Sequence, residues 1–212
     1  MTKVRSTVLA AAALMLSGSL ASATTLFFDD FEAGLGQWTG KSGGPHHGVV
    51  VADPLNPSND VLTFTALNSA GDIYSTATPL GAAGDYVLSF DYLGLEQPGS
   101  VPGDLGGFVG FSEGLPDNHG WYAGTQDSYP GLTTLLADDG AWHHYTVILH
   151  NPTNDPLHVM LEDFEGSFGV PGDAYFDNIR FEDSTPAVPE PATLALVGSG
   201  LAGLALRRRR QR

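Results

Sequence analysis

The chain of 212 residues has no cysteine, so no disulfide, thiolate metal ligand or thiol nucleophile contributes to it. Basic residues are almost as scarce in its interior. Of nine Lys and Arg, Lys3 and Arg5 stand at the start and five fall in the last six residues, leaving only Lys41 and Arg180 between. All twenty-four Asp and Glu lie between Asp29 and Glu190, so that stretch carries −22 against −15 for the whole chain. Such a surface repels nucleic acid and anionic lipid headgroups and suits cations, neutral sugars or solvent. No 3.6-residue apolar repeat of ordinary helix length occurs between residues 24 and 183. Gly-x-Ser-x-Gly, His-Glu-x-x-His and phosphate-loop motifs are also missing. The acid pairs Asp138/Asp139 and Glu162/Asp163 are adjacent, and neighbours in a strand face opposite ways, which argues against a shared hydrolytic site. His46-His47 and His143-His144 are likewise adjacent rather than at helical spacing, so they do not read as zinc ligands. No nucleophile can be paired with a base, and the chain reads as non-enzymatic.

What the chain does have is short alternating runs broken by Gly, Pro, Asn and Asp. Strands are expected at 25–29, 48–52, 61–66, 73–76, 86–92, 107–112, 120–123, 132–136, 142–150, 157–163 and 174–182. Tyr86, Leu88, Phe90 and Tyr92 face one way and Val87, Ser89 and Asp91 the other, a period of two. Asp139-Gly140 is expected to close a hairpin between the runs on either side of it. Many short strands without βα alternation predict an all-β antiparallel sandwich of jelly-roll type. The long loops 40–47, 54–60, 96–106 and 114–120 have few apolar residues, so each is expected to be mobile or held by a ligand.

The two ends have their own logic. Residues 1–23 join a basic start, an apolar Ala-rich run and the small-x-small Ala21-Ser22-Ala23, the pattern of a signal peptide. Residues 184–191 form a Pro-containing linker. Residues 192–206 are uncharged and apolar, roughly 22 Å as a helix, a short single transmembrane span that thinning and snorkelling accommodate. Residues 207–212 hold Arg207, Arg208, Arg209 and Arg210, which place the C-terminus in the cytoplasm and residues 24–183 outside. Pro189-Glu190-Pro191 forbids helix and strand and keeps the segment extended and reachable. Together the triplet, the apolar span and the arginines resemble the PEP-CTERM sorting signal. That resemblance covers only the tail. It implies an exosortase as partner, which recognises the signal and cleaves near Pro189, Glu190 and Pro191. It also implies a protein anchored in the membrane at first, then released to the cell surface or matrix.

The central domain opens with Phe31-Glu32-Ala33-Gly34 ahead of Trp38 and closes with Phe176-Asp177-Asn178-Ile179. With Tyr86–Gly94 and Trp142–Val147 between, it resembles the galactose-binding-like jelly rolls that include many carbohydrate-binding modules. The resemblance implies a structural calcium joining the chain ends, with Glu32 and Asp177 as ligands and Asp30 beside them. It also implies binding of extracellular polysaccharide. Trp121 and Tyr122, after His119, are the candidate sugar platform, since flat rings stack on pyranose faces; the alternative is that Trp121 belongs to the core. The expected function is an exported carbohydrate-binding surface or matrix protein. A purely structural matrix protein and a glycan-active hydrolase are the alternatives.

Overall fold

Period-two burial organises the strands. In residues 84–94, Tyr86, Leu88, Phe90 and Tyr92 are buried while Val87, Ser89 and Asp91 are half-exposed, as the alternation requires. The computed structural model describes residues 24–76, 83–101, 103–113, 118–167 and 169–184, without the side chains of 118 and 119. The expected signal peptide of 1–23 and the tail from 185 on, with Pro189, Glu190, Pro191 and the Arg207–Arg210 cluster, lie outside the described residues. Among those described, no helix is long and apolar enough to cross a membrane.

The strands are β1 (Thr24–Asp29), β2 (Trp38–Thr39), β3 (Gly48–Ala52), β4 (Asp60–Phe64), β5 (Ile73–Ser75) and β6 (Gly84–Gly94). They continue as β7 (Gly107–Glu113), β8 (Asn118–Gly124), β9 (Thr134–Leu135), β10 (His143–Asn151), β11 (Leu157–Asp163) and β12 (Ala174–Asp183). They form two six-stranded sheets. The first runs β10-β6-β12-β4-β3 with β1 also on β12, the second β2-β5-β11-β7-β8-β9. The all-β sandwich expected from the sequence is the architecture observed. Between the sheets lies a core rich in Phe, Leu and Tyr. Tyr86 stacks on Phe181 at 5.3 Å between ring centroids and Tyr92 lies at 5.3 Å from Phe176, contacts that contribute roughly 0.5–1.5 kcal/mol each beyond area burial.

The strand β11 is buried on both faces. Its outer face carries Met160, which with Tyr74, Phe108 and Trp121 forms a second apolar cluster covered by Tyr129, Leu132 and Phe164. The segments around residues 125–133 and 164–167 therefore act as a third, partial layer on the second sheet.

Three expectations are corrected. Asp139-Gly140 closes no hairpin: β9 pairs parallel with β8 in one sheet and β10 pairs with β6 in the other, so the turn crosses between sheets. Loop 54–60 is tied down by the chain itself. Asp53 Oδ1 accepts Leu55 N at 2.8 Å, and the Trp142 indole donates to Asp53 Oδ2 at 3.1 Å. In loop 96–106, Leu105 is fully buried and its N–H donates to Asp138 at 2.9 Å.

Candidate functional site

Three features bear on function: a bulge in β12, the second sheet's outer face, and one end of the sandwich. The bulge breaks the register of β12 between Asp177 and Arg180, and Asn178 sits there at φ 51°. On one side of it β12 pairs with β4 at Phe176–Leu62; on the other it pairs with β1. Asp177 Oδ2 accepts the Asn59 amide at 3.0 Å, and Glu32 Oε1 accepts the N–H of the next residue, Asp60, at 3.0 Å. Asp30 accepts Glu32 N at 3.4 Å. Burial pushes the Asp177 carboxyl up to about 6, and repulsion from Asp91 and Asp30 adds to it against the bonds from Asn59 and Asn178. The structure thus brings Glu32, Asp30 and Asp177 to one neighbourhood. Among the described residues no group of three or more His, Asp or Glu side chains is placed to hold a metal ion. An ion at the bulge would draw on two carboxylates and complete its shell with carbonyls, which is within calcium's habit.

The candidate platform comes apart. A register shift at Val109/Gly110 puts Trp121 opposite Gly110 on the outer face, while Tyr122 packs edge-on to Phe111 in the main core. Trp121 is only 4% exposed, closed in by Phe108 at 5.6 Å, so its ring belongs to a core cluster in place of an open stacking surface. Tyr122 is half-buried, and His119 pairs with Ser112 in the β7–β8 ladder. Trp121 and Tyr122 share no surface.

The end of the sandwich has an open cleft of about 410 Å³ lined by Gly103, Asp104, Thr125, Gln126, Asp127, Ser128 and the exposed Leu135. Its floor is stitched together: the Thr125 hydroxyl donates to Asp104 Oδ1 at 3.0 Å and accepts Gly106 N at 3.1 Å. Burial raises the Asp104 carboxyl, with repulsion from Asp127 adding and the Thr125 bond opposing. Carboxylates, an amide, hydroxyls and one apolar side chain are the groups that hydroxyl-rich ligands meet. The length of loop 96–106 marks it in the sequence, but segment 125–128 carries no local signal. Only the fold sets it beside Asp104.

Behind the cleft lie buried acids. Asp163 is driven up to about 9 by burial and then by Asp173, and Glu162, on the opposite face of β11, up to about 8 by burial. Burial also raises Asp138 and Asp173. The separation of Glu162 from Asp163 is as strand geometry requires.

The PEP-CTERM protein-sorting motif matches residues 187–210 of the chain. Among solved structures, it is similar to the CBM22-1–CBM22-2 tandem domain of Paenibacillus barcinonensis Xyn10C. They share 20% identity over 82% of this chain and 49% of that one, with a TM-score of 0.50. The CBM22-1 xylan-binding domain of the same enzyme gives 18% identity, 78% and 97% coverage and a TM-score of 0.49. The xylan-binding module CBM15 gives 14%, 78%, 100% and 0.44. No curated protein matches the chain. The structural likeness speaks to fold alone.

Proposed function

We propose that this chain is an exported, exosortase-processed protein of the cell surface or extracellular matrix whose sandwich binds a neutral polysaccharide. The sorting motif at 187–210 is the observation that carries the reading. In this account residues 1–23 direct export and residues 192–206 hold the chain in the membrane. Arg207–Arg210 stay inside, and cleavage near Pro189–Pro191 releases the domain of residues 24–183. The acidic exterior then disfavours anionic partners and leaves neutral glycans and cations. The cleft at Asp104, Gln126, Asp127 and Ser128 is the binding surface, and a calcium held by Glu32 and Asp177, with Asp30 beside them, joins the chain ends. The fold shared with a tandem carbohydrate-binding domain makes glycans the ligand class to test first.

The test is a glycan array probed with the intact chain, followed by titration of any hit. Gln126→Ala and Asp127→Ala should weaken binding about tenfold, which corresponds to 1.4 kcal/mol. No binding to any glycan by a correctly localised protein would favour a structural matrix role. The pairing of Asp104 with Asp127 across one cleft supports a second reading, a glycan hydrolase, in which two carboxylates flank the scissile bond. Release of reducing sugar from the bound glycan, abolished by Asp104→Asn, would favour that reading.

A further inference from the structure

The Asp163 and Asp173 carboxylates stand at the ends of different segments, β11 and the loop entering β12, and both residues are fully buried. Each is anchored through one oxygen only. Asp163 Oδ2 accepts Gly172 N at 3.2 Å; Asp173 Oδ2 accepts the Ser100 hydroxyl at 2.6 Å and Val170 N at 2.8 Å. The second oxygen of each, Oδ1, is buried without a hydrogen-bond partner. Carboxylates held by donors on one oxygen and bare on the other have the arrangement of metal ligands with their supporting shell in place.

The surroundings agree. A Cβ on Gly106 would lie 2.5 Å from Asp163 Oδ1 and 2.7 Å from Ser167 Oγ, and one on Gly169 would lie 2.9 Å from both Asp173 Oδ2 and the Leu105 carbonyl. Glycine at these two positions lets the backbone close directly on carboxylate, hydroxyl and carbonyl oxygens, which brings those oxygens into one neighbourhood. Among the described residues no Lys or Arg side chain neutralises the acids. Lys41 is exposed on another loop, and Arg180 lies over the Phe28 ring and bridges to Glu182 at 3.5 Å. Two buried carboxyls that repel one another, each with one bare oxygen, are costly unless a cation or protons compensate them.

We infer that Asp163 and Asp173, with Ser167 Oγ and the Leu105 carbonyl, form a site for a divalent calcium-like cation, separate from any ion at Glu32 and Asp177. Hard oxygen donors of irregular arrangement, away from bulk water, suit calcium better than magnesium, which demands an octahedron and keeps its waters. The ion would fix loops 96–106 and 164–173 to each other, and with them the floor of the cleft at Asp104. The site stands on the buried oxygens and does not depend on the glycan reading.

The experiment uses the intact chain in mild detergent, stripped of metal, with calcium itself as probe. Calorimetric titration and thermal melts should show calcium binding and a rise in Tm of several degrees. Asp163→Asn and Asp173→Asn should lose the part of the response that Glu32→Gln and Asp177→Asn retain. In EDTA the two Asn variants should melt at or above the parent, because the amide keeps one acceptor and buries no charge. Terbium gives an independent readout: the buried Tyr92 phenol feels the charge of both acids, so its ring should sensitise terbium emission that calcium displaces. Tyr92→Phe should lose that emission while still binding calcium. A parent that binds no calcium, or Asn variants with an undiminished calcium response, would each overturn the site.

Discussion

The Trp38 indole N–H donates to Asp29 Oδ2 at 2.7 Å inside the protein, and Asp29 Oδ1 accepts the N–H of Phe31 at 2.8 Å. One buried carboxylate thus fastens the end of β1, in the first sheet, to β2, in the second. Phe31 stacks on Trp38 at 5.8 Å above this junction and holds φ 58°, a conformation the Asp29 bond supports. Asp29→Ala leaves two buried donors unpaired and should cost about 2–4 kcal/mol. Asp29→Asn keeps one acceptor and should cost less. Urea midpoints of the three proteins check the order; equal midpoints would place the junction's stability elsewhere.

Trp121 packs on bare backbone. A Cβ on Gly110 would stand 2.3 Å from the Gly120 carbonyl oxygen and 2.8 Å from the Trp121 ring, so Gly110→Ala must push β8 off β7. It should cost about 1–3 kcal/mol or more, with tryptophan emission shifting to the red. Trp121→Ala empties the outer cluster and should cost about 3–5 kcal/mol. Weaker glycan binding in a Trp121→Ala protein of unchanged stability would instead restore that residue as a ligand contact.

Calcium at the chain ends gives a separable outcome. The Glu32–Asp60 and Asp177–Asn59 bonds link the loop after β1, the start of β4 and β12. An ion binding only the folded chain there stabilises it by about 2.7 kcal/mol at a hundredfold excess over Kd. EDTA should therefore lower Tm, and Glu32→Gln or Asp177→Asn should remove part of that response. Melting curves of these variants that respond to calcium as the parent does would exclude the bulge as a site.

Alkaline pH tests the outer cluster. The Tyr74 hydroxyl donates to the Ala70 carbonyl at 2.7 Å, and burial, with Glu162 and Asp72 nearby, pushes its ionisation from 10.0 up to about 12. Between those values the folded chain keeps a proton that the unfolded chain gives up. Stability is therefore undiminished below pH 10 and falls as pH rises toward 12. Tyr74→Phe should flatten part of that fall, read as urea midpoints from pH 9 to 11.5. An unchanged slope would mean that the Tyr74 phenol ionises freely.

The strands were legible because Tyr86, Leu88, Phe90 and Tyr92 alternate with polar neighbours, and a half-buried strand writes that period directly into the sequence. Partners were less legible. Asp139-Gly140 reports a local bend, and nothing local says that the next strand joins the other sheet. Trp38–Thr39 is too short to show a period. The burial of Trp121 depends on Tyr129 and Leu132 closing over it, a tertiary contact without a local trace. Motif resemblance alone joins Glu32 to Asp177 in the sequence; in the fold their bonds to Asp60 and Asn59 bring them near each other. Asp163 and Asp173 look like any of the other acids along the chain; only folding strips their Oδ1 atoms of partners.

The central claim is that the tail is a processing signal and the sandwich its exported cargo. The decisive measurement is the intact mass of the protein recovered outside the cell, compared between a host with an exosortase and one without. The expected result is a C-terminus near Pro189–Pro191 in the first host, and in the second an uncut chain that stays with the membrane. Released protein that still carries residues 201–212 in the exosortase host would contradict it.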